Sequence, residues 1–148
     1  MHKLLVLFCL FIFVSFSTLA QNASQSGKIK IKVTDLKSER GSILVSLFNS
    51  DEGFPSDKDA PLLTRKIEIN NTTVALEFEN IPFGTYAISI MHDENENEEL
   101  DTNFIGIPKE GVGVSNNAMR SFGPPKFEDC KFKLNTKELA LTIKMHYY

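Results

Sequence analysis

Asp93, Asn95, Asn97 and Asp101 recur through a short acidic segment, His92-Asp-Glu-Asn-Glu-Asn-Glu-Glu-Leu-Asp101. Counted from Asp93 they occupy the first, third, fifth and ninth positions of a loop, the spacing at which calcium loops present side-chain oxygens. Calcium is a hard cation that gathers several oxygens at once, and alternate Asp and Asn residues supply them over a short stretch. The backbone carbonyl of Glu99 falls at the seventh position and completes the candidate set Asp93, Asn95, Asn97, Glu99 and Asp101. The twelfth position is Phe104, where calcium loops of helical proteins carry a bidentate Glu, and no amphipathic helix flanks the segment. The pattern therefore predicts a strand-flanked analogue of such a loop. With formal charge from Asp93 and Asp101 alone, its affinity is expected in the extracellular range of about 10⁻⁴–10⁻³ M. The competing reading is a surface turn, because Asn and Asp side chains also bond nearby backbone amides. Transition metals fit less well, since His92 is a lone imidazole and His146 lies far along the chain.

Catalytic arrangements are poorly represented. His92 and Asp93 are neighbours at a strand end, so their side chains point to opposite faces and cannot orient one another. Ser115 lies in Val-Gly-Val-Ser-Asn-Asn, which is not a nucleophile elbow. No glycine-rich phosphate loop opens a helix. The carboxylates of residues 93–101 cluster in sequence, which does not supply the spacing that glycoside hydrolysis needs. A second candidate site remains: His92, Ser115, Asn116, Asn117 and Arg120 could line a pocket for a carbohydrate or small molecule, with weak hydrolysis as its limit. The plainer roles are a buried, hydrogen-bonded His92, backbone bonds from Ser115, Asn116 and Asn117, and an Arg120 paired with loop acids.

The elements that must hold these residues are strands. Ile29, Ile31 and Val33 alternate with Lys28, Lys30 and Lys32; Ile43, Val45 and Leu47 follow after a turn at Lys37–Gly41. Residues 50–64 contain Pro55 and Pro61 and read as a loop with one helical turn. Ile67 and Ile69, then Val74, Leu76 and Phe78, then Tyr86, Ile88, Ile90 and His92, continue the period of two. Residues 93–127 show no sustained period, yet Phe104, Ile105, Ile107, Met119, Phe122 and Phe127 argue against disorder. A loop that long is uncommon in a compact domain unless it has a function. Phe132 with Leu134, and Leu139, Leu141, Ile143 with Met145, close the chain. The expectation is an all-β fold: an antiparallel β-sandwich of about seven strands with one long ordered loop.

The first twenty residues stand apart. Lys3 precedes the apolar run Leu4–Val14, and Thr18-Leu19-Ala20 resembles a small-residue cleavage site, the form of a secretory signal peptide. The run is short of the roughly 20 residues of a membrane span. Residues 21–27 read as a flexible leader and 28–148 as one domain. The chain carries a net charge of −3 and no basic stripe, which argues against a nucleic-acid partner. Cys130 alone remains beyond the signal peptide, so no internal disulfide forms and a buried thiol is expected.

Asn80-Ile-Pro-Phe-Gly-Thr-Tyr-Ala-Ile-Ser-Ile90 resembles the Pro-x-Gly-x-Tyr strand of prealbumin-like sandwiches. Together with the His92–Pro108 segment, Glu110-Gly111, Ser115-Asn-Asn117 and Gly123-Pro-Pro-x-Phe127, it makes the chain resemble domain-of-unknown-function family 2141, a set of small exported bacterial proteins. That resemblance implies a prealbumin-like or immunoglobulin-like sandwich and a periplasmic or secreted location, and brings no activity. The chain departs from the family at Glu98, where Gly is usual and where a calcium loop needs its sharp turn. The reading that follows is a non-enzymatic exported module, with calcium ordering a loop that binds or adheres to a protein, glycan or small molecule. A purely structural envelope component, its loop covering a sheet edge, is the third reading.

Overall fold

The computed structural model describes residues 25–148. The expected signal peptide and residues 21–24 of the leader lie outside the described residues. The first strand, β1, already starts at Ser26 and runs to Thr34, so two residues assigned to the leader belong to the sheet. Ser42–Phe48 forms β2, Leu63–Glu68 β3, Val74–Pro82 β4 and Gly84–Asp93 β5. Gly111–Val114 is β6, Phe132–Leu134 β7 and Glu138–Lys144 β8. A 3-10 turn at Ser115–Asn117 and one helical turn at Phe127–Cys130 are the only helices among the described residues. None of the described residues forms a helix long and apolar enough to cross a membrane.

Two sheets enclose the core. One is β4-β1-β8; the other is β3-β2-β5-β6, with β7 beside β6 on the same edge of β5. Alternation decides what fills the space between them. Ile29, Ile31 and Val33 face Ile43, Val45, Leu47, Ile88 and Ile90, with Phe78, Leu134 and Ile143 closing the cluster. The opposite face of β1 is wet: Lys28 pairs with Glu77 and Glu79, and Lys30 with Glu138. β3 is an edge strand whose Arg65 and Lys66 are exposed, a charge pattern that discourages edge pairing.

Eight strands appear where about seven were expected, and one pair is parallel: β1 runs alongside β8. The additional strand, β6, lies inside the segment expected to be one long loop. Its Gly-Val-Gly-Val sequence offers no period, because both glycines serve close approach rather than packing. A β-carbon on Gly111 would collide with the Tyr147 ring, and one on Gly113 would press on Ile143 and the Lys144 carbonyl. The loop is thereby divided into residues 94–110 and 118–126.

β5 is covered on both faces. Its outer face carries a second small core of Ala87, Val114 and Cys130, packed by Phe54, Met119 and Phe127. Phe54 stands edge-on to Phe48 at 5.2 Å and to Phe127 at 5.8 Å. Burial there pushes the Cys130 thiol up to about 11, with Asp129 adding to the effect. A thiol so raised holds roughly a hundredfold less thiolate near neutral pH than a free cysteine. Ellman's reagent at about pH 8 should therefore leave Cys130 unmodified in the native protein and label it after denaturation; rapid native labelling would show an open thiol.

Candidate functional site

The end of β5 sorts its last two side chains to opposite faces. His92 points inward and is fully buried. Its Nε2 lies 2.8 Å from the Arg40 carbonyl, which can only accept, so Nε2 carries the proton. The Tyr147 hydroxyl, 2.7 Å from Nδ1, donates to it and accepts the Lys37 N–H at 3.1 Å. Both ring nitrogens are thus used inside the protein, and His92 stands in no pocket wall.

Asp93 points outward and is also 0 % exposed. Its Oδ1 accepts the Asn97 N–H at 3.1 Å and its Oδ2 the Glu98 N–H at 2.9 Å. Asn95 Oδ1 accepts the Asn97 N–H and Asn97 Oδ1 the Glu99 N–H, while Asn95 Nδ2 donates to Asp101 Oδ2 at 2.7 Å. The turn needs left-handed backbone, with φ 62° at Glu96 and 59° at Glu98. Glu98 thus takes the conformation for which calcium loops use Gly, at a cost of roughly 1–2 kcal/mol. Gly41 makes room for the strand end, since a β-carbon there would collide with the Asp93 carbonyl.

Glu110 was not among the candidate residues, and it closes the loop. It is 5 % exposed. Its two carboxylate oxygens accept the Glu94 and Asp101 N–H groups, each at 3.1 Å, tying the start and the middle of the 94–110 loop to one side chain at its end. His92 pairs with Gly111 across β5 and β6, so Glu110 falls beside Asp93, and Ser42 is Asp93's partner on β2. Burial, followed by the nearby Asp101 and Asp93 charges, pushes Glu110 above the usual carboxylate range, against the pull of its two N–H donors. A carboxylate opening a Gly-rich strand was the available sequence signal, and it carries no period that would single it out.

Three of the four glutamates of the acidic turn are paired: Glu94 with Arg40 at 2.7 Å, Glu98 with Lys66 at 2.8 Å and Glu99 with Lys58 at 4.0 Å, while Glu96 is exposed and makes no ion pair among the described residues. Asp93, Asp101 and Glu110 make no ion pair among the described residues. Nor do any three His, Cys, Asp or Glu side chains among the described residues form a ligand set by themselves. A cation at this loop would draw on amide, hydroxyl and backbone oxygens as well.

Beyond the acidic turn the loop ends in a fixed, apolar tip. The Asn103 side chain accepts N–H groups from Ile105 and Ile107, its N–H donates to the Ile107 carbonyl, and its carbonyl accepts from Gly106. Lys109 N–H bonds the Asp101 carbonyl, and Thr102 bridges Pro108. Of the six apolar residues expected to anchor the segment, only Met119 and Phe127 pack inward. Phe104 is 99 % exposed, Ile105 66 %, Ile107 38 % and Phe122 89 %. The loop's order comes from polar bonds, which frees its apolar residues.

Ser115, Asn116 and Asn117 are occupied structurally. Ser115 Oγ donates to the Cys130 carbonyl at 2.6 Å and accepts the Ile88 N–H at 2.9 Å. Asn116 Nδ2 bonds the Asp129 and Lys131 carbonyls. Asn117 caps the free edge of β8, accepting the Lys144 N–H and donating to the Thr142 carbonyl. Arg120 is exposed and forms no ion pair among the described residues. These five residues therefore do not meet in one pocket.

Residues 31–142 match a family model described as an uncharacterized protein conserved in bacteria, DUF2141. The chain belongs to this family. The match runs from within β1 to within β8 and includes both the acidic turn and the apolar tip. No curated protein and no solved structure matches the chain. For this DUF2141 domain, the geometry is thus the guide to function.

Two substitutions test the roles assigned here. Asp93→Ala strips the acceptors from two loop amides, so a Glu-specific protease should cut at Glu96, Glu98 or Glu99 faster while far-ultraviolet circular dichroism stays the same; equal cleavage of variant and parent would contradict the role of Asp93. Tyr147→Phe leaves His92 Nδ1 and the Lys37 N–H without their partner, and should cost roughly 1–3 kcal/mol in chemical denaturation.

Proposed function

We propose that this DUF2141 domain is a non-enzymatic, exported binding module that presents the 103–107 tip to a partner. Carrying this reading is the exposure of Phe104 and Ile105 on a turn that Asn103 fixes from within. Loops that expose large apolar side chains lose solvation free energy, and soluble domains keep such patches small unless they bind something. Here the exposed groups are pre-ordered, which lowers the entropy cost of docking. The side chains that could do chemistry elsewhere, His92 and Ser115, are spent on internal hydrogen bonds.

Calcium has a structural part in this reading, held at the loop of Asp93, Asn95, Asn97, the Glu99 carbonyl and Asp101. Export supports it, since weak sites of this type belong to the affinity range of extracellular calcium modules, about 10⁻⁴–10⁻³ M. The signal-peptide character of residues 1–20 supports export.

The double variant Phe104→Ser with Ile105→Ser should lose binding to bacterial envelope fractions, measured by co-sedimentation, while its melting midpoint stays within about two degrees of the parent, as surface changes do. Undiminished co-sedimentation of the double variant would sink the proposal.

A further inference from the structure

We infer that Asp93, Asp101 and Glu110, together with the Ser42 hydroxyl, form a divalent-cation site between the loop and the sheet; this rests on the calcium part of the reading above and extends its ligand set. Two observations meet here. The first is charge without counter-charge: Asp93 and Glu110 are buried, Asp101 is half-buried, and none is ion-paired among the described residues. Buried carboxylates are ordinarily paired with a cationic side chain or a metal.

The second observation is independent of the acids. Ser42 is fully buried, and its Oγ has no hydrogen-bond partner. Its register partner on β5 is Asp93, so the two side chains share the outer face. Glu110 lies on the other side of Asp93 by the β5–β6 register. The hydroxyl therefore sits on the same sheet face as Asp93, one strand away, with its hydrogen-bonding capacity unused. Side chains directly opposite on adjacent strands lie about 5 Å apart at Cβ, within reach of one ion.

Oxygen capacity remains for a ligand. Each carboxylate oxygen has about two acceptor positions. In Asp93 and Glu110 each oxygen receives one N–H, and Asp101 Oδ1 receives no side-chain or amide donor among the described residues. An all-oxygen set with flexible loop members suits calcium, whereas magnesium demands a tighter octahedron. Glu110 takes the place of the distant carboxylate that the loop lacks at Phe104. Because Glu110 also holds the Glu94 and Asp101 amides, the ion would fasten both limbs of the loop at once.

The test is a thermal melt of the full chain in EDTA, in millimolar calcium chloride and in magnesium chloride at matched ionic strength, with calorimetric titration of calcium alone. The parent should melt several degrees higher in calcium than in EDTA. Glu110→Gln loses an acceptor as well as a charge, so its baseline can fall in every buffer; the informative quantity is its calcium-minus-EDTA difference, which should vanish. Ser42→Ala should fold like the parent and bind calcium on the order of tenfold more weakly, the scale seen when a metal site loses a supporting group. Absence of a calcium-dependent rise in the parent overturns the proposal, and so does retention of the full rise and affinity by either variant. The Phe104→Ser, Ile105→Ser protein should keep the rise, so a failed cation site and a failed docking tip give different results.

Discussion

A buried carboxylate at the end of a central strand imposes a demand that the neighbouring chain must meet. Asp93 lies on a face of β5 closed by β2 on one side and β6 on the other, and water does not reach it. Its oxygens are satisfied by the amides of Asn97 and Glu98, which obliges the chain to turn back sharply and accept left-handed backbone at Glu96 and Glu98. Glu110 repeats the device from the other limb. Loop shape is thus dictated by acceptors in need of donors, with hydrophobic packing contributing little. That is the physical reason the loop can afford an apolar tip.

The two faces of β5 divide the work. Inward, His92 is locked between Tyr147 and Arg40, which pins the C-terminal segment and the β1–β2 turn to the same strand. Outward, Asp93 organises the loop. One step of strand alternation separates a structural anchor from the base of the functional candidate. The Val112–His146 bridge adds a backbone tie between β6 and the C-terminal segment. Movement in the loop therefore has a rigid reference on every side except its tip.

Much of this architecture was legible. Period-two patterning identified the inward residues of β1, β2, β4, β5 and β8, because one-sided burial writes itself directly into alternation. It failed at β6, where Gly111 and Gly113 are needed for contact with Tyr147, Ile143 and Lys144, and close approach leaves no hydrophobic period. The parallel β1–β8 pair was equally hidden, since alternation reports faces and not neighbours. In the acidic turn, the spacing of Asp93, Asn95, Asn97 and Asp101 reflected a hydrogen-bonded arrangement, whereas Glu110 comes from just ahead of β6 and only the β5–β6 register brings it beside Asp93. The apolar loop residues misled for a related reason: hydrophobicity was read as a sign of burial, while the order came from Asn103, Asp93 and Glu110.

The parallel pairing of the first and last strands bears on how the domain faces its surroundings. β1 enters beside the β4–β5 turn, where the Gln25 carbonyl accepts the Phe83 N–H, and the acidic loop leaves the far end of β5. A ten-residue strand spans about 33 Å. Gln25 thus lies at one pole of the domain while Phe104 and Ile105 stand at the other. A small greasy point is thereby set roughly a domain's length away from the end at which β1 enters the sheet.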